Sequence, residues 1–185
     1  MQTVKDIINQ YDSGKHLSFV GFFGGYHPFS NFYPAHFEVD GHAFSCSEQY
    51  VMFRKAMLFG DTDSAQIILD AYGAHPKVFQ SLGRKVQSFT LTKWRAHRDA
   101  IMYDAVYHKF TQNPDIKRQL INSNHAILVE TSPFDAIWGI KLGKYTRTKQ
   151  PTGWTNPHNW QGENRLGLIL MDLRAHLTLH AKHSE

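Results

Sequence analysis

The sequence predicts a mainly helical α+β fold: a single multihelical domain with a small antiparallel β-sheet. Three observations carry this expectation. Apolar residues recur at helical spacing, most clearly from Leu91 to Gln112, where Leu91, Trp94, Ile101, Met102, Ala105, Val106 and Phe110 approximate a 3.6-residue period. Strand signals are few and short, and one pair forms a hairpin pattern around Asp40-Gly41. The 185 residues are enough for one sizeable core, and no repeat or Pro/Gly/Ser-rich linker divides them. One domain is therefore expected over residues 1–185.

The elements follow in order. A short helix is expected from Val4 to Tyr11, ending near Gly14. Leu17 to Phe23 reads as a strand. His36 to Val39 and His42 to Phe44 are the two arms of the hairpin. The texture then becomes helical. Ser45 to Phe59 stops at Gly60, and Asp61 or Thr62 can cap the next helix, which runs to about Tyr72. Pro76 to Leu82 has proline in its first turn and Gly83 behind it. The long helix over 91–112 follows, then a short one from Pro114 to about Ile121. His125 to Thr131 reads as a buried strand. Pro133 to Gly162 is loop-like, and a last helix runs from Asn164 to about His180, with Leu166, Leu170, Leu173 and Leu177 along it.

Composition narrows the class. The hydrophobic share of 42% is that of a folded globule. Aromatic residues make up 14%, which suits both a core and a pocket for planar ligands. The net charge of +4 suits a phosphate-bearing small molecule, while the absence of a dense Lys/Arg block gives no indication of nucleic acid. Cys46 is the one cysteine, so no disulfide can form within the chain. Met1 to Asp6 has no basic segment leading into an apolar run, and no apolar stretch approaches membrane-spanning length. A cytoplasmic location, with no membrane partner, is the expectation. The oligomeric expectation is a monomer or a weak homodimer.

The candidate chemistry centres on carboxylates. Ser45 and Glu48 have the S-x-x-E spacing of a capping box, in which Glu48 would bond the Ser45 N–H. The same spacing also fixes a carboxylate in a first helical turn, where it can serve a site. Lys55 lies seven residues on, about two turns, on the same helix face. Asp135 follows the buried strand that ends near Glu130, and loops beyond such strands often hold site residues. Asp135 equally fits a turn cap after Pro133. Ser30 and Asn31, set among Phe29, Phe32 and Tyr33, could read a base edge or sugar hydroxyls, or form a polar turn pinned by rings. Gly162 and Asn164 mark a helix start that could receive a phosphate, and Asn164 could equally be its N-cap. Arg84, Lys85, Lys93, Arg95 and Arg98 are further cations that could meet phosphate or form a solvated face. There is no metal-binding motif, phosphate-binding glycine loop, dinucleotide fingerprint or nucleophile elbow, so neither metal nor cofactor is expected.

An ordered series of short motifs adds a resemblance. Phe29-Ser30-Asn31-Phe32, Ser47-Glu48-Gln49-Tyr50, Lys55-Ala56, Phe59-Gly60-Asp61, Leu82-Gly83-Arg84, Trp94, Lys109-Phe110, Leu128-Val129-Glu130, Asp135 with Trp138-Gly139, and 160–167 (WQGENRLG) occur in the order found in the NADAR family, which includes the YbiA-like N-glycosidases. The resemblance covers roughly residues 18–176. It implies a mainly helical YbiA-like fold and metal-free cleavage of an N-glycosidic bond. For YbiA-like members it implies phosphoribosylaminopyrimidine intermediates of riboflavin biosynthesis, giving ribose 5-phosphate and a free aminopyrimidine. For others it implies ADP-ribose chemistry, including removal of ADP-ribose from guanine in nucleic acid. A non-catalytic module that binds ADP-ribose or NAD is a further alternative, and nucleic acid is a partner only under the ADP-ribosyl alternative. Lys141 stands where many relatives have glycine, which bears on phosphate recognition. With the resemblance, Glu48 becomes the expected central carboxylate, with Asp135 and Lys55 as further catalytic candidates. Ser30, Asn31, Phe32, Arg84, Trp94, Trp138, Gly162 and Asn164 are the expected substrate-binding residues.

Overall fold

The structure is a computed structural model that describes residues 2–144 and 149–181. In chain order the elements are α1 (Val4–Asp12), β1 (Phe19–Phe22), β2 (Phe37–Val39), β3 (His42–Phe44), α2 (Ser47–Leu58), α3 (Thr62–Asp70), α4 (Pro76–Gly83), α5 (Leu91–Thr111), α6 (Pro114–Asn122), β4 (Ile127–Glu130), a 3₁₀ turn (Pro157–Asn159) and α7 (Arg165–Ala181). The mainly helical class expected from the sequence is the observed one. Within the loop expected from Pro133 to Gly162, residues 145–148 lie outside the described residues. Chain contacts divide into two compact units: residues 1–30 with 118–185, and residues 31–117.

The first unit is organised on β1 and β4. They pair in parallel, Phe19 opposite Ile127 through Phe22 opposite Glu130. This differs from an all-antiparallel expectation. All four residues of β4 are buried, and the apolar run Ile127-Leu128-Val129 suits a parallel strand covered by helix. Helix α7 packs on β4. Gly167 makes that approach possible, because a Cβ there would collide with the Leu128 carbonyl. Leu166, Ile169, Leu170 and Leu173 bury the inner side of α7. At the start of the chain, Thr3 and Asp6 form a reciprocal capping box for α1.

The second unit is built around α2, which packs against α3, α4 and α5. The antiparallel hairpin of β2 and β3 turns at Asp40 and Gly41, both with left-handed φ, as the Asp-Gly pair predicts. Phe37 and Phe44 stack across the hairpin with centroids 5.6 Å apart, and Tyr50 of α2 packs on both. Asp61 caps α3 by accepting the Ser64 N–H, and Pro76 sits in the first turn of α4. The Tyr50 hydroxyl and the Arg54 guanidinium both donate to Asp104 of α5, and His108 lies 3.4 Å from the same carboxylate. This network fixes α2 against α5, and with it the residues at the start of α2.

Candidate active site

Glu48 is the second residue of α2 and is only 6% exposed. The capping box between Ser45 and Glu48 does not form. The helix starts one residue later than the motif implies, with Cys46 as N-cap. Gln49 therefore occupies the third helical position. Its Oε1 accepts from the Ser45 N–H at 2.8 Å and from the Ser45 hydroxyl at 2.9 Å. Its Nε2 donates to the Ile68 carbonyl at 2.9 Å. Gln49 thus does the work assigned by spacing to Glu48. The Glu48 N–H donates to the Asn31 carbonyl at 3.2 Å, so Asn31 sits directly against the first turn of α2.

Cys46 and Lys109 bear on the electrostatics at the start of α2. Burial pushes the Cys46 thiol up to about 11; the Glu48 carboxylate adds to this and Lys109 opposes it. At neutral pH Cys46 is a protonated thiol, which disfavours it as a nucleophile. Lys109 is wholly buried, and burial lowers its ammonium to about 7. Its Nζ lies 5.5 Å from the Tyr33 ring centroid and 5.3 Å from that of Phe110. Sequence reasoning did not single out Lys109 as a site residue. The signal was present: it falls seven residues after Met102, four after Ala105 and three after Val106, a lysine on an apolar helical stripe.

Lys55 is half-buried. Its ammonium donates to the Gly83 carbonyl at 2.6 Å, stands 4.3 Å from the Phe89 ring centroid and 5.7 Å from that of Trp94. Burial and the neighbouring Arg84 lower its pKa. The structure thus brings Lys55, Arg84 and Trp94 together. Arg84 and Lys85 are exposed, whereas Arg98 is buried on α5 with its Nε 3.7 Å from Asp99. Phe32 is half-buried.

The first unit holds the other candidates. Ser30 is buried, and its N–H donates to the His27 carbonyl at 3.0 Å. Asp135 Oδ1 accepts the N–H groups of Ile137 and Trp138, both at 2.8 Å, while Ser132 Oγ accepts those of Phe134 and Asp135. Asp135 is therefore a turn cap that fixes the half-buried Trp138. Backbone N–H groups of Gln161, Glu163, Asn164, Arg165 and Leu166 donate to carbonyls of residues 136–140. The N–H groups at the start of α7 are thus spent on this loop, the Asn164 N–H among them, rather than open to a phosphate. A Cβ at Gly162 would strike the Gly139 carbonyl, so glycine is required for the contact. Asn164 is wholly buried. Its Oδ1 accepts from the Glu130 N–H at 3.0 Å, and its Nδ2 donates to the Leu128 carbonyl at 2.9 Å. Glu130, at the end of β4, is buried, and among the described residues no hydrogen bond reaches its Oε1. Burial, and then the Asp135 charge, raise its pKa well above the ordinary carboxyl value.

With this geometry in place, comparison with known proteins is decisive. Residues 19–178 match the NADAR domain. The chain belongs to the NADAR family. It is similar to "N-glycosidase R617" of Acanthamoeba polyphaga mimivirus, 35% identical over 155 residues, covering 81% of this chain and 87% of that one. It is 30% identical over 155 residues to "Riboflavin biosynthesis protein VVA0006" of Vibrio vulnificus, a span of 84% of this chain but 36% of that longer protein. Among solved structures, the NMR structure of E. coli YbiA matches with a TM-score of 0.69 and 27% identity, over 89% of this chain and 87% of that one.

NADAR membership agrees with the enzyme class expected from the sequence: several curated relatives carry the name N-glycosidase. The matched region spans residues of both units without a break. Among the described residues, no helix is long and apolar enough to cross a membrane.

Proposed function

We propose that this protein hydrolyses the N-glycosidic bond of phosphoribosylaminopyrimidine intermediates of riboflavin biosynthesis, releasing ribose 5-phosphate and the aminopyrimidine. The observation that carries the reading is Glu48: a buried carboxylate in the first turn of α2, beside Gln49, which takes the Ser45 N–H. In the proposed reaction Glu48 takes a proton from water as the oxygen bonds to the anomeric carbon. The carbon–nitrogen bond breaks, its electron pair goes to the leaving nitrogen, and the proton taken by Glu48 passes to that nitrogen, which returns Glu48 to its starting form. Ionised, Glu48 also stabilises the positive charge that develops on the ribosyl ring. Lys55 with Arg84, in the same unit as Glu48, offers positive charge for the phosphate. The names of the mimiviral and Vibrio relatives support the reaction class and the pathway, respectively.

The test is direct. Wild-type protein incubated with the phosphoribosylaminopyrimidine should release ribose 5-phosphate. Glu48→Gln should lower kcat by about a hundredfold or more while ligand binding and thermal unfolding stay near wild type. Near-wild-type turnover by Glu48→Gln would remove Glu48 from the mechanism. The ADP-ribosyl-guanosine alternative draws on the exposed Arg84 and Lys85 as a second phosphate contact. Release of ADP-ribose, with no ribose 5-phosphate from the pyrimidine substrate, would select it.

A further inference from the structure

Asn31 is 6% exposed and touches the start of α2 through its own carbonyl, which accepts the Glu48 N–H. Its side-chain Nδ2 donates to the Met102 thioether at 3.3 Å. A thioether can only accept, so the amide nitrogen faces the sulfur and the amide oxygen faces away from it. Asn31 Oδ1 is buried and receives no hydrogen bond from the described residues. Ser47, the residue immediately before Glu48, is wholly buried, and its Oγ is likewise unpartnered. A buried acceptor left unsatisfied opposes folding, and an apolar residue of the same shape would avoid that cost. Such an oxygen, on the residue whose carbonyl accepts the Glu48 N–H, has the chemistry of a receptor for a hydrogen-bond donor.

We infer that Asn31 Oδ1 reads the hydroxyl on sugar carbon 2, so that the enzyme selects ribosyl over 2-deoxyribosyl compounds. The inference rests on the N-glycosidase reading and specifies its substrate class. The ring oxygen of the sugar offers no proton, and a phosphate at neutral pH offers acceptors that would repel Oδ1. The donors are the sugar hydroxyls and the amino groups of the leaving base. Glu48 is assigned to the anomeric carbon, and the hydroxyl on carbon 2 is bonded to the adjacent carbon. Asn31, in backbone contact with Glu48, is the matching neighbour on the protein. A site that hydrogen-bonds a substrate hydroxyl rejects the analogue lacking it far more strongly than an apolar pocket rejects a missing methylene, because the protein acceptor is then stranded.

The experiment is a cycle of two sugars and two proteins. Binding of ribose 5-phosphate and 2-deoxyribose 5-phosphate is measured by calorimetry on wild type and on Asn31→Leu. Wild type should favour the ribosyl ligand by about a hundredfold or more. In Asn31→Leu the ribosyl affinity should fall to the deoxyribosyl level, with the deoxyribosyl affinity nearly unchanged. Equal affinity of wild type for the two sugars overturns the inference. So does equal weakening of both by the substitution, which would indicate a packing role, or selectivity that survives it. Binding of neither sugar phosphate overturns it as well. Should Asn31→Leu fail to fold, the comparison of ribose, 2-deoxyribose and 3-deoxyribose 5-phosphates on wild type decides the matter. Failure to cleave any N-glycoside, with ribosyl selectivity intact in binding, would sink the hydrolase reading and leave the Asn31 assignment standing.

Discussion

Glu48 and Glu130 are buried carboxyls in different surroundings. Glu48 lies at a helix N-terminus, where aligned peptide dipoles and first-turn N–H groups favour a negative charge. Glu130 lies at the end of a fully buried strand, where burial and the Asp135 charge favour the neutral acid. The neutral form has a consequence for stability. The unfolded chain ionises this carboxyl near its ordinary value of 4.5, whereas the folded chain holds the proton to higher pH. The folded state then binds more protons than the unfolded state. Stability from this group is therefore complete below about pH 4.5, and is lost as pH rises toward and through the raised folded value. Glu130→Gln, neutral at every pH, should flatten that loss and raise Tm by a few degrees at pH 8 to 9, roughly 2–4 °C per kcal/mol recovered. Thermal melts from pH 5 to 9 check this; parallel wild-type and variant curves would mean that Glu130 is ionised in the folded protein.

At the scale of elements, the start of α2 shows what a motif can and cannot specify. The spacing of Ser45 and Glu48 located a helix start within two residues, and helix ends are rarely read more closely than that from sequence. It could not say which of two adjacent acceptors, Glu48 or Gln49, would turn back to Ser45. The choice was made by a distant group: Gln49 is wholly buried and also reaches the Ile68 carbonyl of α3, a contact across 19 positions. A carboxylate in its place could accept from Ser45 but could not donate to Ile68. Gln49→Ala should therefore leave Ser45 and Ile68 with unmet polar groups and cost about 1–3 kcal/mol. Urea denaturation gives the value. A cost below a few tenths would show that water replaces both bonds. Gln49→Glu should also destabilise, because it keeps one bond and places a carboxylate beside a carbonyl. The parallel pairing of β1 with β4 was harder to read for a related reason. Both strands were visible, but their partnership joins residues more than a hundred positions apart, and no turn chemistry records it.

For the molecule as a whole, the local layer of the fold was legible: helices, their caps, the Asp-Gly hairpin and the long loop all have short-range causes. The candidate site was legible chiefly through the ordered NADAR motifs. Residues whose roles depend on burial were harder to see, and Lys109 is the clearest case. Its apolar flanks matched the core stripe of α5, yet its charge suggested a surface position. A lysine enclosed in the second unit and a carboxyl enclosed in the first load the pH dependence of folding in opposite directions. Lys109 has a folded value of about 7, against 10.5 for an ordinary lysine. Between these values the unfolded chain binds the extra proton, so stability rises with pH. Below about pH 7 the folded protein must carry a buried ammonium, and its burden is greatest there. Lys109→Met keeps the length and apolar character of the stem without the charge. It should stabilise the fold most below pH 7 and progressively less up to about pH 10. Glu130→Gln should do the reverse, gaining at high pH and little near pH 4.5. Calorimetric unfolding of wild type and both variants across pH 5 to 10 separates the two contributions. A Lys109→Met effect that is independent of pH would mean that the ammonium titrates alike in the folded and unfolded chains, against the lowered folded value.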